Sequence, residues 1–339
     1  MTAAYYERDL NIRIGEEPQR APGAHEVRID VAWCGICGTD VGIWHGKMDW
    51  RVALSQIMGH EMAGTVAAIG SAVQDLQVGQ AVTVMPLDPC GTCSNCTAGL
   101  SHICQNLNFL GIDSPGAFQY SWTVPAACVL PLPPDLDLRH GALIEPIAVA
   151  CHDVRLAGLT AGARAVVIGG GPIGTLVALV ASARGAEVLV CEINPHRRSR
   201  LEAMGLAVAD PNGEDVPARV QAWTGAAGAD VVFEVSAHPD GIALATELPR
   251  ARGLVVIVGI SPKPVPVNLF HVFWKELRIA GARVYEREDF QAAIELAAAG
   301  TLPLDAIISA THPLQDMKAA LQDASGGGDV LKVLVDCRP

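Results

Sequence analysis

At 339 residues the chain exceeds one ordinary hydrophobic core, which predicts two domains. Half of it is apolar and 18% is charged, a balance that suits a packed globular protein and excludes a disordered one. The formal net charge of −12 repels nucleic acid and anionic membranes, so neither is expected as a partner.

The opening residues, MTAAYYERDLNIRIGEE, carry charges where a signal peptide needs an unbroken apolar stretch. The expected location is therefore cytoplasmic. Thiols stay reduced there, so clustered cysteines are expected to bind metal rather than to form disulfides. Up to about Pro146, short β-rich runs such as EVRIDVAWCG and HEMAGTVAAIG alternate with Gly/Pro turns, which predicts an irregular, mostly β domain over residues 1–146. Within it, CGICGTD offers Cys34, Cys37 and Asp40, and MGHEMAG offers His60 and Glu61. Taken alone, a buried His60 or Cys37 reads as ordinary core as readily as it reads as a ligand.

Cys90, Cys93, Cys96 and Cys104 follow with the spacing C-x2-C-x2-C-x7-C, in a loop that Pro89, Gly91 and Gly99 allow to curl. Four thiolates complete a tetrahedral zinc and leave no place for a reactant, so this loop is expected to be a structural clamp. An iron–sulfur cluster also takes four cysteines, but nothing else here points to electron transfer. No basic helix adjoins the loop, which disfavours a nucleic-acid zinc module. Further on, ALIEPIAVACHD offers Glu145, Cys151 and His152.

From 147 to 283 the texture changes. RAVVIGGGPIGTLVALVASARGAEVLVCEIN reads as strand, glycine turn, helix and strand, and its glycines and proline argue against a membrane span. ADVVFEVSA and GLVVIVGI read as later strands, with the helical NPHRRSRLEAMG between. This alternation predicts a doubly wound parallel sheet. Gly169, Gly171 and Gly174 form G-x-G-x-x-G after a strand and before a helix, with Glu192 eighteen residues later at the end of the next strand. That context makes a dinucleotide fingerprint: backbone amides at a helix N-terminus meet the pyrophosphate, and Glu192 accepts hydrogen bonds from the ribose. A carboxylate there favours NAD over NADP. Arg197 complicates this preference, whereas Arg198 and Arg200 are expected on a solvated helix face. Beyond Arg283, DFQAAIELAAAGTLP predicts a helix and GDVLKVLVDC a final strand, preceded by a flexible turn in ASGGGD.

CGICGTD, GHEMAGTV, the four-cysteine loop, IEPIAVACH and GGGPIG follow one another in the order seen in zinc-dependent medium-chain dehydrogenases. The chain resembles that superfamily over essentially its whole length, and most of all its polyol dehydrogenase branch, with sorbitol, butanediol and threonine dehydrogenases. The resemblance implies a GroES-like catalytic domain over 1–146 and a Rossmann domain over 147–283. It also implies that segment 284–339 returns to the first domain, with a cleft between the two. It implies catalytic zinc on Cys37, His60 and Glu61. Glu145, a branch feature, either ligates the metal or holds its water, and which glutamate touches zinc stays open.

Asp40 matches an acid that orients the ligand histidine. Ile173, Glu192, Arg197, Val258, Gly259 and Ile260 are implied to line the cofactor site. Thr39 matches the hydroxyl that starts a proton relay; the usual relay histidine is Gly42 here, and His45 either substitutes for it or is a surface residue. Cys34, Cys128, Cys151, Cys191 and Cys337 match no ligand position and are expected to pack.

The implied activity is zinc- and NAD-dependent interconversion of a secondary alcohol (polyol, sugar alcohol, cyclitol or vicinal diol) and its ketone, by a homodimer or homotetramer. Two other readings compete: a zinc-free quinone- or enoyl-type reductase, which the intact ligand set argues against, and a non-catalytic NAD(H)-binding protein. Trp44, His45, Lys47, Asp49, Trp50, Phe109 and Phe118 stand either near a pocket mouth or in ordinary loops.

Overall fold

The computed structural model describes residues 1–261, 263–328 and 330–339. Asp329, the last residue of the turn expected in ASGGGD, lies outside them, and the start of that turn is instead the end of the helix Met317–Ser325. The chain divides into two compact units. One comprises Met1–Glu145, Glu286–Gly300 and Ile307–Pro339; the other comprises Pro146–Tyr285 and Thr301–Ala306. The expected segment 284–339 is thus split. Residues 301–306 belong with the second unit, where Leu302 and Leu304 are buried and the Ala306 carbonyl accepts from Arg200.

The first unit is built on a seven-stranded sheet whose middle strand, Glu26–Gly35, buries alternate residues on its core face. Glu61–Ile69 pairs antiparallel on one side of it, and the late strand Lys332–Asp336 pairs antiparallel with its end. Gly35 is therefore flanked by Glu61 on one neighbour and Leu334 on the other. Ile308–Pro313 completes that side by pairing parallel with Lys332–Asp336. The strands expected from EVRIDVAWCG and HEMAGTVAAIG are present as Glu26–Gly35 and Glu61–Ile69.

The second unit is a six-stranded, wholly parallel sheet. Its order is Ala207–Ala209, Glu187–Cys191, Arg164–Ile168, Ala229–Glu234, Pro249–Ile257, Arg278–Gly281. The first three strands run outward and the next three run the other way, a doubly wound arrangement that reverses between Arg164–Ile168 and Ala229–Glu234. Its core joins Val166, Ile168, Leu189, Val232 and Val255 to helix residues Val216, Val220 and Ala245. Near-continuous apolar strands are what a sheet covered by helices on both faces requires. Among the described residues, no helix is long and apolar enough to cross a membrane.

Candidate metal centres and dinucleotide turn

Strand pairing brings the first group together. His60 and Glu61 lead into Glu61–Ile69, and Cys37 is the N-cap of the short helix Gly38–Trp44 just past the end of Glu26–Gly35. The Cys37 amide donates to Asp40 Oδ2 at 2.9 Å, which fixes the start of that helix. One ligand atom each from Cys37, His60 and Glu61 lie within 4.8 Å of one another. His60 Nδ1 faces Asp40 Oδ1 at 3.7 Å; both atoms are buried and neither makes a hydrogen bond. With Nδ1 turned to Asp40, Nε2 remains for the Cys37 side. The Phe109 ring packs against the His60 ring in a T-shaped pair, with centroids 5.3 Å apart.

Burial pulls the His60 imidazole toward its neutral form. Asp40, the Cys37 thiol and Glu145 outweigh burial and hold its pKa well above the usual histidine range. Such a concentration of negative groups around a buried imidazole suits a cation, and thiol, imidazole and carboxylate are zinc donors.

Glu145 begins the helix Ile144–Ala157, and its charge acts on both His60 and Lys332, but its oxygens lie outside the mutually close set. Glu61 is already engaged. Lys332 donates to its two oxygens at 2.7 and 2.6 Å and to the Ile36 carbonyl at 3.1 Å. Glu61 and Lys332 are both almost wholly buried. Burial pushes the Lys332 pKa down, but Glu61 and Cys37 outweigh it and hold the ammonium above its usual range. Removing one partner of such a pair costs about 3–5 kcal/mol, because the other charge is stranded.

Sequence reasoning missed Lys332. Its one signal was a lysine inside the apolar run LKVLV, which demands a buried anion without naming it. Thr39 is half-buried in the first turn of the Cys37 helix, while His45 caps the end of that helix and is exposed. A Cβ built at Gly42 meets nothing within 4 Å. Of the other pocket candidates, Phe118 is fully buried against Gly59, whereas Trp50 is 81% exposed.

The four-cysteine loop gathers its sulfurs independently. Cys93 and Cys96 are 3.5 Å apart, Cys93 and Cys104 3.8 Å, and Cys90 and Cys104 3.5 Å. These separations are far beyond a disulfide bond of about 2.05 Å. They match the spacing of about 3.8 Å between ligands set 2.3 Å from a tetrahedral zinc. The amides of Thr92 and Cys93 hold the Cys90 thiol down, to about 5, ready to act as a thiolate.

In the second unit, Gly171 caps the helix Pro172–Ala183, and a Cβ built there meets nothing within 4 Å. A Cβ at Gly174 would lie 1.8 Å from the Gly169 carbonyl oxygen, so only glycine permits that crossing. Ile173 is half-buried beside it. Glu192 is buried, and its two oxygens accept from the amides of Gly170 and Asn194, each at 2.7 Å. Arg197 is half-buried with its Nε unpartnered.

Arg198 departs from the expected solvated face. Its guanidinium donates to the carbonyls of Glu192 and Ile193 and pairs with Asp210 at 2.9 Å, because the strand end beneath it exposes free carbonyls. Val258 and Gly259 are half-buried, and both donate their amides to the Glu234 carbonyl; Ile260 is 86% exposed. Glu234, also missed, is fully buried and its carboxylate binds Ser236 and the Ala237 amide, which ties the turns after two neighbouring strands together.

Two family models match the chain: the alcohol dehydrogenase GroES-like domain over residues 23–134 and the zinc-binding dehydrogenase domain over 172–299. The 2-dehydro-3-deoxy-L-galactonate 5-dehydrogenase of Pseudoalteromonas atlantica is 50% identical over 99% of both chains. The L-galactonate-5-dehydrogenase of Escherichia coli is 31% identical over 90% of this chain and 92% of its own. Among solved structures, a provisionally named zinc-binding dehydrogenase of Sinorhizobium meliloti bound to NADP superposes with a TM-score of 0.93. It is 32% identical and covers 99% of this chain and 98% of its own.

Proposed function

The chain belongs to the zinc-dependent medium-chain dehydrogenases, in the polyol dehydrogenase branch, and from that premise we propose that its substrate is a sugar acid oxidised at a secondary hydroxyl remote from the carboxylate. It is an NAD(P)-dependent secondary alcohol dehydrogenase, with zinc and a nicotinamide dinucleotide as cofactors. The observation that carries the narrower reading is 50% identity, end to end, with an enzyme named for position 5 of a deoxygalactonate.

Cys37, His60 and Glu61 would hold the catalytic zinc, with Glu145 supplying charge or a further ligand beside it, and Cys90, Cys93, Cys96 and Cys104 would hold the structural one. When bound, zinc supplies a Lewis acid for an alcohol oxygen and the dinucleotide supplies a hydride acceptor. Asp40 fixes which nitrogen of His60 is presented, by facing Nδ1. Phe109, packed against that ring, helps to keep water from it. Thr39, half-buried in the first turn of the Cys37 helix, carries the hydroxyl through which the substrate's proton would leave. In the second unit, Gly169, Gly171 and Gly174 give the pyrophosphate access to backbone amides, and Glu192 disfavours a 2′-phosphate, so NAD is the proposed partner.

The helix Leu269–Trp274 supports self-association. Leu269, Phe270, Phe273 and Trp274 are 62–76% exposed, beside Arg278–Gly281, the outermost strand of the parallel sheet. An apolar patch next to a free strand edge suits a symmetric partner, and a homodimer is the proposed state.

The test is a kinetic panel on purified protein with NAD and NADP: L-galactonate and its 2-dehydro-3-deoxy derivative against galactitol, sorbitol, butane-2,3-diol and L-threonine. The sugar acids are expected to have the highest kcat/KM. A higher value for a neutral polyol or for threonine sinks the substrate proposal. Cys37→Ala is expected to lose one of two zinc ions together with the activity; an unmodified protein without zinc would return the zinc-free reductase reading.

A further inference from the structure

Three turns lie at the ends of neighbouring strands of the parallel sheet: the glycine turn after Arg164–Ile168, the turn after Ala229–Glu234 and the turn after Pro249–Ile257. Glu234 ends the middle strand and bonds to two of these turns. Its carboxylate accepts from the amide and hydroxyl of Ser236 and from the amide of Ala237. Its carbonyl accepts from the amides of Val258 and Gly259, each at 2.9 Å. Glu234 is fully buried, so water cannot stand in for it at those donors.

Close packing extends the hold to the third turn. A Cβ at Gly169 would lie 3.1 Å from the Ser236 amide nitrogen, so the Ser236 turn leans on the glycine turn. A Cβ at Gly259 would lie 2.6 Å from the Ala237 amide nitrogen and 3.0 Å from Glu234 Oε2, so the Gly259 turn is pressed onto the Ser236 turn. Between these contacts Ala237 has a φ of +55°, a left-handed conformation that a residue with a Cβ seldom takes. The carboxylate grips the amides of Ala237 and of its predecessor, and so holds that conformation. Backbone kept against its preference beside a ligand crevice points to a positioning task.

A dinucleotide in a doubly wound sheet lies across the crevice where the strand order reverses, here between Arg164–Ile168 and Ala229–Glu234. Its adenosine half then falls on the side of Glu192, and its nicotinamide half on the side of Ser236 and Gly259. The glycine turn has anchors of its own: the Gly169 amide donates to the Cys191 carbonyl at 2.8 Å, and the Gly170 amide to Glu192. The two turns on the other side are held to each other by Glu234.

We propose that Glu234 is a positioning residue for the dinucleotide: it sets the turns at Ser236–Ala237 and Val258–Ile260 at the spacing from the glycine turn that lets one molecule engage both halves of the crevice. The inference rests on the reading that the glycine turn receives the pyrophosphate of NAD.

The experiment measures the binding of NAD and of ADP to the purified, zinc-loaded protein by calorimetry. ADP carries the adenosine and the pyrophosphate without the nicotinamide half, so it probes the glycine turn alone. Glu234→Gln replaces one acceptor oxygen with a donor. It is expected to weaken NAD by about 10- to 100-fold, the scale of a buried donor left unpaired, while ADP binds as it does to the unmodified protein. Gly259→Ala leaves Glu234 in place but drives a methyl group against the Ala237 amide. It is expected to give the same split between NAD and ADP, and it carries the test should Glu234→Gln fail to fold.

A residue that only stabilises the sheet would lower Tm and leave both affinities in place, or weaken NAD and ADP in equal proportion. Either result overturns the proposal while the reading of the glycine turn stands. ADP that does not compete with NAD on the unmodified protein would overturn that reading, and this inference with it.

Discussion

Glu192 serves two backbone amides with one carboxylate; both bonds are short, the one from Gly170 buried and the one from Asn194 partly so. One of them reaches Gly170, inside the glycine turn, so the residue expected to choose the cofactor also shapes the surface on which the cofactor would lie. Glu192→Ala should therefore weaken NAD binding without a matching gain for NADP, since the buried amide of Gly170, inside the glycine turn, loses its acceptor at a cost of about 1–3 kcal/mol. The KM values for the two cofactors check this; NADP used by the variant as well as NAD is used by the unmodified protein would refute it. The position of Glu192 was legible in the sequence because a βαβ unit fixes the interval between glycine turn and acid. Its hold on Gly170 was not, because it depends on how far the side chain folds back. Lys332 and Glu61 show the general limit: their contact spans 271 residues, and no local pattern connects them.

Two loops near His60 are strapped to each other. Arg51 forms a two-pronged pair with Asp113, both bonds at 2.7 Å, and Asp113 also accepts from the amide of Phe109, the residue whose ring covers His60. Gln56 adds a bond to the Ile112 carbonyl. Burial raises the Asp113 pKa, but the bonds from Arg51 and Phe109 more than reverse this, and the carboxyl sits below its usual range. A depressed folded-state pKa means stability that is present above the unfolded value of about 3.9 and lost as pH falls through the folded value. Asp113→Asn should cost about 1 kcal/mol near neutrality, the upper end for a partly exposed pair. It should also fall less steeply than the unmodified protein in Tm below pH about 4. Parallel Tm–pH curves for the two proteins would remove the strap from the account.

At this level the long strands were legible, because Glu26–Gly35 and Arg164–Ile168 carry apolar alternation or an apolar run. Ile308–Pro313 and Arg278–Gly281 were not singled out, since neither buries a residue completely and neither carries a strand pattern.

For the molecule as a whole, the exposed aromatic helix is the feature that a lone chain leaves unexplained. Phe270 and Trp274 stack on each other at 5.7 Å, yet both face solvent. Phe273→Asp, which places a charge in the middle of this patch, should convert a homodimer into a monomer in sedimentation or light scattering while the zinc content stays constant. A mass unchanged by the substitution, or a monomer from the start, would assign the patch to something other than self-association. This helix was not legible beforehand, because LFHVFW reads equally well as buried core until its burial is known.

Lys332–Asp336 is wedged between Glu26–Gly35 and Ile308–Pro313, so the sheet that opens the chain cannot close until some three hundred further residues have been translated. Meanwhile the parallel sheet, with its six strands contained in 164–281, has everything it needs. Synthesis should accordingly finish the nucleotide half before the zinc half. The Cys37–His60–Glu61 group, whose partner Lys332 is made last, would then wait incomplete through most of elongation, a window in which a passing oxidant would do its greatest harm to the Cys37 thiol.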